Sequence, residues 1–241
     1  MIDRATQLLL LPGSLCDEWL WHHQIAALRG QCTILVPHFM EYDHLQFMAQ
    51  AVLKQAPPRF ALAGFSMGGR VALEVLRAAP ERVERLALLD ATVHPVKPGE
   101  DVRRQQMLDL ATQQGMAAVA AVWVPKMVLP AHHADTALMA DLSAMLCRFT
   151  PEEYQREMHA LLNRPDARTV LPLVRCPTLV MAGRQDPIST PAQNEELAAQ
   201  IPGAQLELVD HCGHFLPVEA PIATTQAFLR WLDAPDLRHA H

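Results

Sequence analysis

The sequence predicts an α/β fold: one mostly parallel sheet of about six strands, flanked by helices, with a helical segment inserted before the last two strands. Two observations carry this expectation. Short apolar runs bounded by turn residues alternate with amphipathic stretches, the repeat that builds a parallel sheet covered on both faces. The chain also has 241 residues, 50% of them hydrophobic, enough for one sizeable three-layer core.

The elements follow in order. The start, MIDRATQLLLLPG, carries an acidic residue and too short an apolar stretch for a signal peptide, so 6–11 (TQLLLL) reads as a first strand ended by Pro12-Gly13. A helical pattern at 17–29 begins at Asp17, a suitable N-cap. Then come a strand at 32–37 (CTILVP), a helix at 43–55, a strand at 59–64 (RFALAG), a helix at 66–79 and a strand at 84–90 (ERLALLD). The next strand, 177–182 (PTLVMA), lies much farther on than a crossover needs. The intervening segment, 93–169, carries helical patterns at 101–114, 116–123, 134–148 and 151–163, the last with Thr150 as cap and Pro151 at its first position. It is expected to form a small helical lid over the carboxyl end of the sheet, within a single domain spanning 1–241. A helix at 190–200, a strand at 205–209 (QLELV), a helix at 221–232 and a polar tail, LRHAH, complete the chain.

Composition narrows the function classes. The formal net charge is -6 and the basic residues are scattered, which argues against a nucleic-acid partner. Five widely spaced cysteines without a C-x-x-C pair fit reduced thiols in the cytoplasm rather than a disulfide framework. The longest apolar candidate, Met116 to Val124, is cut by Pro125 and Lys126, too short for a membrane span. A soluble, cytoplasmic protein is expected; the oligomeric state is left open.

In LAGFSMGGRVALEVL, Gly64, Ser66 and Gly68 form G-x-S-x-G, with Gly69 following, between a predicted strand and a predicted helix. A serine lifted onto so sharp a turn has strained dihedrals and needs small neighbours, and the helix N-terminus beside it favours developing negative charge. The plainer alternative is a serine that only caps the helix. A nucleophilic serine requires a base and an orienting acid on other loops at the same sheet edge. MAGRQDPISTP supplies Asp186 after the fifth strand, and VDHCGHFLPVEAP supplies His214 after the sixth.

Other candidates compete for these roles. Asp90, ending the fourth strand, is a second possible acid; the Gly183 to Asp186 spacing favours Asp186. Asp210 is better suited to a cap or loop bond. His211, Cys212 and His214 are too tightly spaced, with no second cluster, to hold a metal. His22-His23 and His132-His133 read as helix and lid residues. Trp21 suits the core, while Trp19 could rim a pocket. Met107, Met116, Met127, Met139, Met145 and Trp123 fall at helical spacing, for core packing by default, with some facing the site if the lid covers it.

The chain resembles the α/β-hydrolase fold superfamily. Its pattern is close to small bacterial serine carboxylesterases such as the pimeloyl-carrier-protein methyl ester esterases and the enol-lactone hydrolases. LLPGSLCDEWLW, GFSMGG, AGRQDPISTP and GHFLPVEAP fall in family order. The resemblance implies an α/β-hydrolase fold with Ser66 as nucleophile, His214 as base, Asp186 as orienting acid, and the backbone amides of Ser14 and Met67 as oxyanion donors. It implies a small-molecule ester substrate and no metal or organic cofactor. Two features depart from the pattern: many relatives carry His-Gly where this chain has Pro12-Gly13, and the extra N-terminal hairpin of longer members is missing. C-C bond hydrolysis and enol-lactone hydrolysis use the same three residues, and a non-catalytic ligand-binding relative is the alternative of another class.

Overall fold

A computed structural model describes residues 6–235; the first five residues and the tail LRHAH lie outside the described residues. Six strands form one sheet: β1 (Gln7–Leu11), β2 (Thr33–Leu35), β3 (Phe60–Phe65), β4 (Val83–Leu89), β5 (Thr178–Gly183) and β6 (Gln205–Val209). Their order is β2-β1-β3-β4-β5-β6 and every pairing is parallel, so the expected mostly parallel sheet is wholly parallel among the described residues. Parallel strands need both faces covered, which is why β1, β3 and β5 read as unbroken apolar runs and are buried almost throughout. The edge strands β2 and β6 are only partly covered.

The crossover helices are α1 (His22–Leu28), α2 (Leu45–Gln55) and α3 (Met67–Ala78). Four more, α4 (Glu100–Gln114), α5 (Met116–Met127), α6 (Thr136–Leu146) and α7 (Pro151–Leu162), lie between β4 and β5. The chain continues through α8 (Pro191–Ala199), α9 (Leu216–Glu219) and α10 (Pro221–Asp233). Helix α2 packs on α3, and α1 packs on α10. Right-handed crossovers put these two pairs on opposite faces of the sheet, because β1 leads outward to β2 while β3 leads the other way to β4. The strand order therefore reverses between β1 and β3, and a crevice opens outside their carboxyl ends.

Local chemistry explains the helix ends. Thr150 and Glu153 form a reciprocal capping box on α7, with Pro151 at its first position. Asp17 caps, through a 2.9 Å bond from the Trp19 amide, a short 3-10 turn, Glu18–Trp21, that runs into α1; the predicted single helix at 17–29 is thus split. Helix α5 extends past its predicted end to Met127 with Pro125 inside it, which removes one backbone donor without stopping the last turn. No helix among the described residues is long and apolar enough to cross a membrane.

Candidate active site

Ser66 stands between β3 and α3 with φ 52° and ψ -114°, a conformation that is costly for a side-chain-bearing residue. Its amide stays in the sheet ladder, donating to Leu89 O at 2.9 Å. The flanking glycines let the turn close: a Cβ on Gly64 would lie 2.4 Å from Gly68 O, and one on Gly68 would lie 2.3 Å from Leu11 O. Both obstacles are backbone and cannot swing aside.

His214, on the loop after β6, presents Nε2 at 3.1 Å from Ser66 Oγ. Its Nδ1 is 2.8 Å from Asp186 Oδ2. The other carboxylate oxygen of Asp186 accepts the amides of Ile188 at 2.7 Å and Ser189 at 3.0 Å, so the acid is fixed from both sides. His214 and Asp186 are almost fully buried, at 2% and 3% exposure. The ring is placed from its backbone too, since the His214 amide donates to Met127 O at 2.8 Å.

The two candidate acids separate clearly. Asp90 makes no bond to His214; its carboxyl accepts the amides of Gly183 at 2.9 Å and Leu216 at 3.3 Å, pinning the end of β5 and the start of α9. Burial first, then the neighbouring Asp186 charge, push its pKa well above the usual carboxylate range. Burial opposes the charge of Asp186 as well. The His214 ring and the two backbone amides outweigh it and hold that carboxyl low. Of two adjacent carboxyls, the one against the histidine keeps the negative charge.

A cavity of about 440 Å³ opens over Ser66 and His214, with Ser14 and Met67 on its wall. The volume suits a small organic ligand. Ser14 lies on the loop after β1, where Leu15 also has a positive φ of 55°. That loop is held from the far side by Glu157 of α7, whose Oε2 accepts a short bond from Ser14 Oγ and a 2.9 Å bond from the Leu15 amide. Burial outweighs both bonds and raises the Glu157 pKa to about 8. Glu157 was not anticipated from the sequence, yet it shares a helical stripe with Tyr154, Met158 and Leu161, all buried, and a lone acid in an apolar stripe is a readable signal.

Two other residues were not anticipated. Arg70, four residues beyond Ser66, lines the cavity. Glu219 of α9 accepts the amides of Gly213, Phe215 and Leu129 and so ties the histidine loop to the end of α5. Of the predicted apolar lining, Met107, Met127 and Trp123 reach the cavity, joined by Met158; Met116, Met139 and Met145 do not. Trp21 is fully buried as expected, whereas Trp19 stacks on His22 instead of rimming the cavity. Asp210 pairs with Arg184 on the surface, and His211 is exposed while Cys212 is buried.

Comparison with known proteins agrees with this architecture. The sequence model of the α/β hydrolase fold matches residues 26–221. A pimeloyl-[acyl-carrier protein] methyl ester esterase from Stenotrophomonas maltophilia is 31% identical, over 88% of this chain and 86% of that protein. A 3-oxoadipate enol-lactonase from Acinetobacter baylyi is 28% identical, over 77% of this chain and 64% of that one. The solved structure of a thermophilic esterase from Thermogutta terrifontis superposes with a TM-score of 0.86 at 25% identity, covering 96% of this chain and 90% of that one. With a sheet of six parallel strands, flanking helices and a family match over most of its length, the chain belongs to the α/β hydrolase fold family.

Proposed function

We propose that this protein is a serine hydrolase that cleaves a small or medium carboxylic ester through an acyl-enzyme on Ser66. The observation that carries the reading is the unbroken chain from Ser66 Oγ to His214 Nε2 at 3.1 Å and from His214 Nδ1 to Asp186 at 2.8 Å, set at the floor of a cavity. His214 takes the Ser66 proton as the hydroxyl attacks the ester carbonyl, then returns it to the departing alcohol. Water enters by the same route and releases the acid. Asp186 keeps Nδ1 protonated and stabilises the imidazolium that forms.

The tetrahedral oxyanion falls to the amides of Ser14 and Met67, with the first turn of α3 adding its positive end. The helices α4, α5 and α7, which line the cavity, serve as its cover. The printed activities of the relatives, an esterase and an enol-lactonase, support ester chemistry, since a lactone is an internal ester. The mechanism uses protein groups and water alone.

The test pairs a fluorophosphonate probe with a chain-length series of p-nitrophenyl esters, on the native protein and on Ser66→Ala and His214→Ala. Labelling of the native protein, and loss of labelling and of at least about 10³-fold in kcat in both variants, is the expected result. A folded native protein that neither labels nor turns over any ester refutes the assignment.

A further inference from the structure

The cavity is basic in a protein whose net charge is -6: Arg70, Lys97, Arg103, Arg104 and Arg164 line it, against Glu100 and Asp90. Asp90 pairs with none of these cations: its two carboxyl oxygens accept the amides of Gly183 and Leu216. Glu100 is already taken. Arg104 reaches it at 2.8 Å and Arg164 at 2.7 Å; although burial opposes its charge, bonds led by Arg164 hold its pKa at about 2. All of the guanidinium nitrogens of Arg164 are engaged, by Glu100 and by the carbonyls of Leu161, His94 and Pro95.

Arg70 differs. It is 5% exposed and forms no ion pair among the described residues. Its Nη2 donates to Thr92 Oγ1 at 2.6 Å and to His94 O at 3.0 Å, which explains why the side chain is held where it is. Those neutral acceptors give it no ion pair and leave its buried Nη1 with no partner among the described residues. Burial, then the Arg164 charge, bring its pKa down to about 9 against the weaker pull of Glu100 and Asp166. A buried guanidinium with a free donor is costly unless something completes it. The side chain lies on the cavity wall, one helical turn from Ser66.

We propose that Arg70 binds a carboxylate of the substrate, remote from the scissile ester, so that the preferred substrates are carboxylate-bearing esters such as half-esters of dicarboxylic acids. This rests on the ester-hydrolase reading and narrows it. A monoanion fits better than a phosphate dianion, because one free nitrogen and one unpaired charge match a single carboxylate. The bond would make charged esters better substrates than neutral ones of the same length.

The experiment compares kcat/KM for monomethyl and dimethyl esters of glutaric, adipic and pimelic acids, with 4-acetoxybutanoate and its methyl ester placing the carboxylate on the alcohol side. The native enzyme is expected to favour the charged ester roughly 10–100-fold in at least one of these pairs, and the pair that shows it identifies the side. The ratio should collapse toward one in Arg70→Gln and recover in part in Arg70→Lys. Calorimetry with Ser66→Ala provides an arm independent of turnover and of Arg70 folding, with glutarate binding at least tenfold more tightly than butyrate.

A native ratio at or below one throughout, or a preference that survives intact in Arg70→Gln, overturns the proposal while leaving the hydrolase reading in place. No labelling and no turnover of any ester refutes the hydrolase reading, and the glutarate arm then decides the carboxylate site alone. Equal binding of glutarate and butyrate refutes that site.

Discussion

The loops at the carboxyl edge of the sheet and three of the helices between β4 and β5, namely α4, α5 and α7, face the same cavity but are built on different principles. Four non-glycine residues with positive φ, Leu15, Ser66, Asp90 and His211, occur among the described residues, each on the loop leaving β1, β3, β4 or β6. Such strain persists only where surrounding structure over-determines the backbone, and the fully buried Leu8 to Leu11 and the buried β3 supply that rigidity. The helices α4, α5 and α7 carry no such strain, and α5 and α7 pack apolar side chains into the core. Helix α4 buries only Ala111 and is fastened by charge, through Glu100 with Arg104 and Arg164. The proposed nucleophile Ser66 thus sits on stiff, strained backbone, while the opposite wall is unstrained helix from which α4 presents long charged side chains.

The largest expected effect probes the stiff side. Asp186→Asn should lower kcat roughly 10³–10⁴-fold at neutral pH, because the carboxamide leaves His214 without the charge that stabilises its protonated ring. Asp90→Asn replaces a carboxyl that bonds backbone amides rather than His214 and whose pKa burial pushes up, so its kcat should fall by less than about tenfold; p-nitrophenyl butyrate turnover measures both. Equal losses would mean that the two acids share the task.

An intermediate effect tests the joint between the two regions. Glu157 has its folded pKa raised from 4.5 to about 8, so its neutral form contributes stability that is complete below 4.5 and is lost as pH rises through 8. Glu157→Gln removes this dependence. Relative to the native protein, the variant should gain on the order of a few kcal/mol between pH 4.5 and pH 8.5, read from urea unfolding at each pH. A constant difference across that range would mean that the carboxylate is ionised in the fold.

The smallest effect isolates the strain itself. Ser66→Gly should raise unfolding stability by about 1 kcal/mol, because glycine accepts the φ of 52° freely, and it should abolish turnover. Lower stability than native would show that the hydroxyl contributes more to the fold than the strain costs.

Legibility in the sequence follows the range of the signal. The strands and the Gly64 to Gly69 turn were readable because apolar runs and close-approach glycines are local features. The preference for Asp186 over Asp90 rested on a local spacing, Gly183 to Asp186, and in the structure Asp186 is the one bonded to the His214 ring while Asp90 bonds the amides of Gly183 and Leu216. The Ser14 to Glu157 bond spans 143 residues, beyond any periodicity, although the lone acid in the apolar stripe of α7 marked one end of it. Arg70 carries a similar mark, as a charged residue among the wholly apolar neighbours Val71, Ala72 and Leu73 on a buried helix. Helix α9, at four residues, is too short to show a period at all.

The bond from Glu157 to the Ser14 loop limits how freely the helical segment can be exchanged. A chimera that transplants 93–169 from another member of the fold removes the acid that Ser14 and Leu15 donate to, and so loosens a loop encoded far upstream of the graft. Transplantation between relatives therefore has a minimum unit larger than the insertion: the loop after β1 has to travel with it.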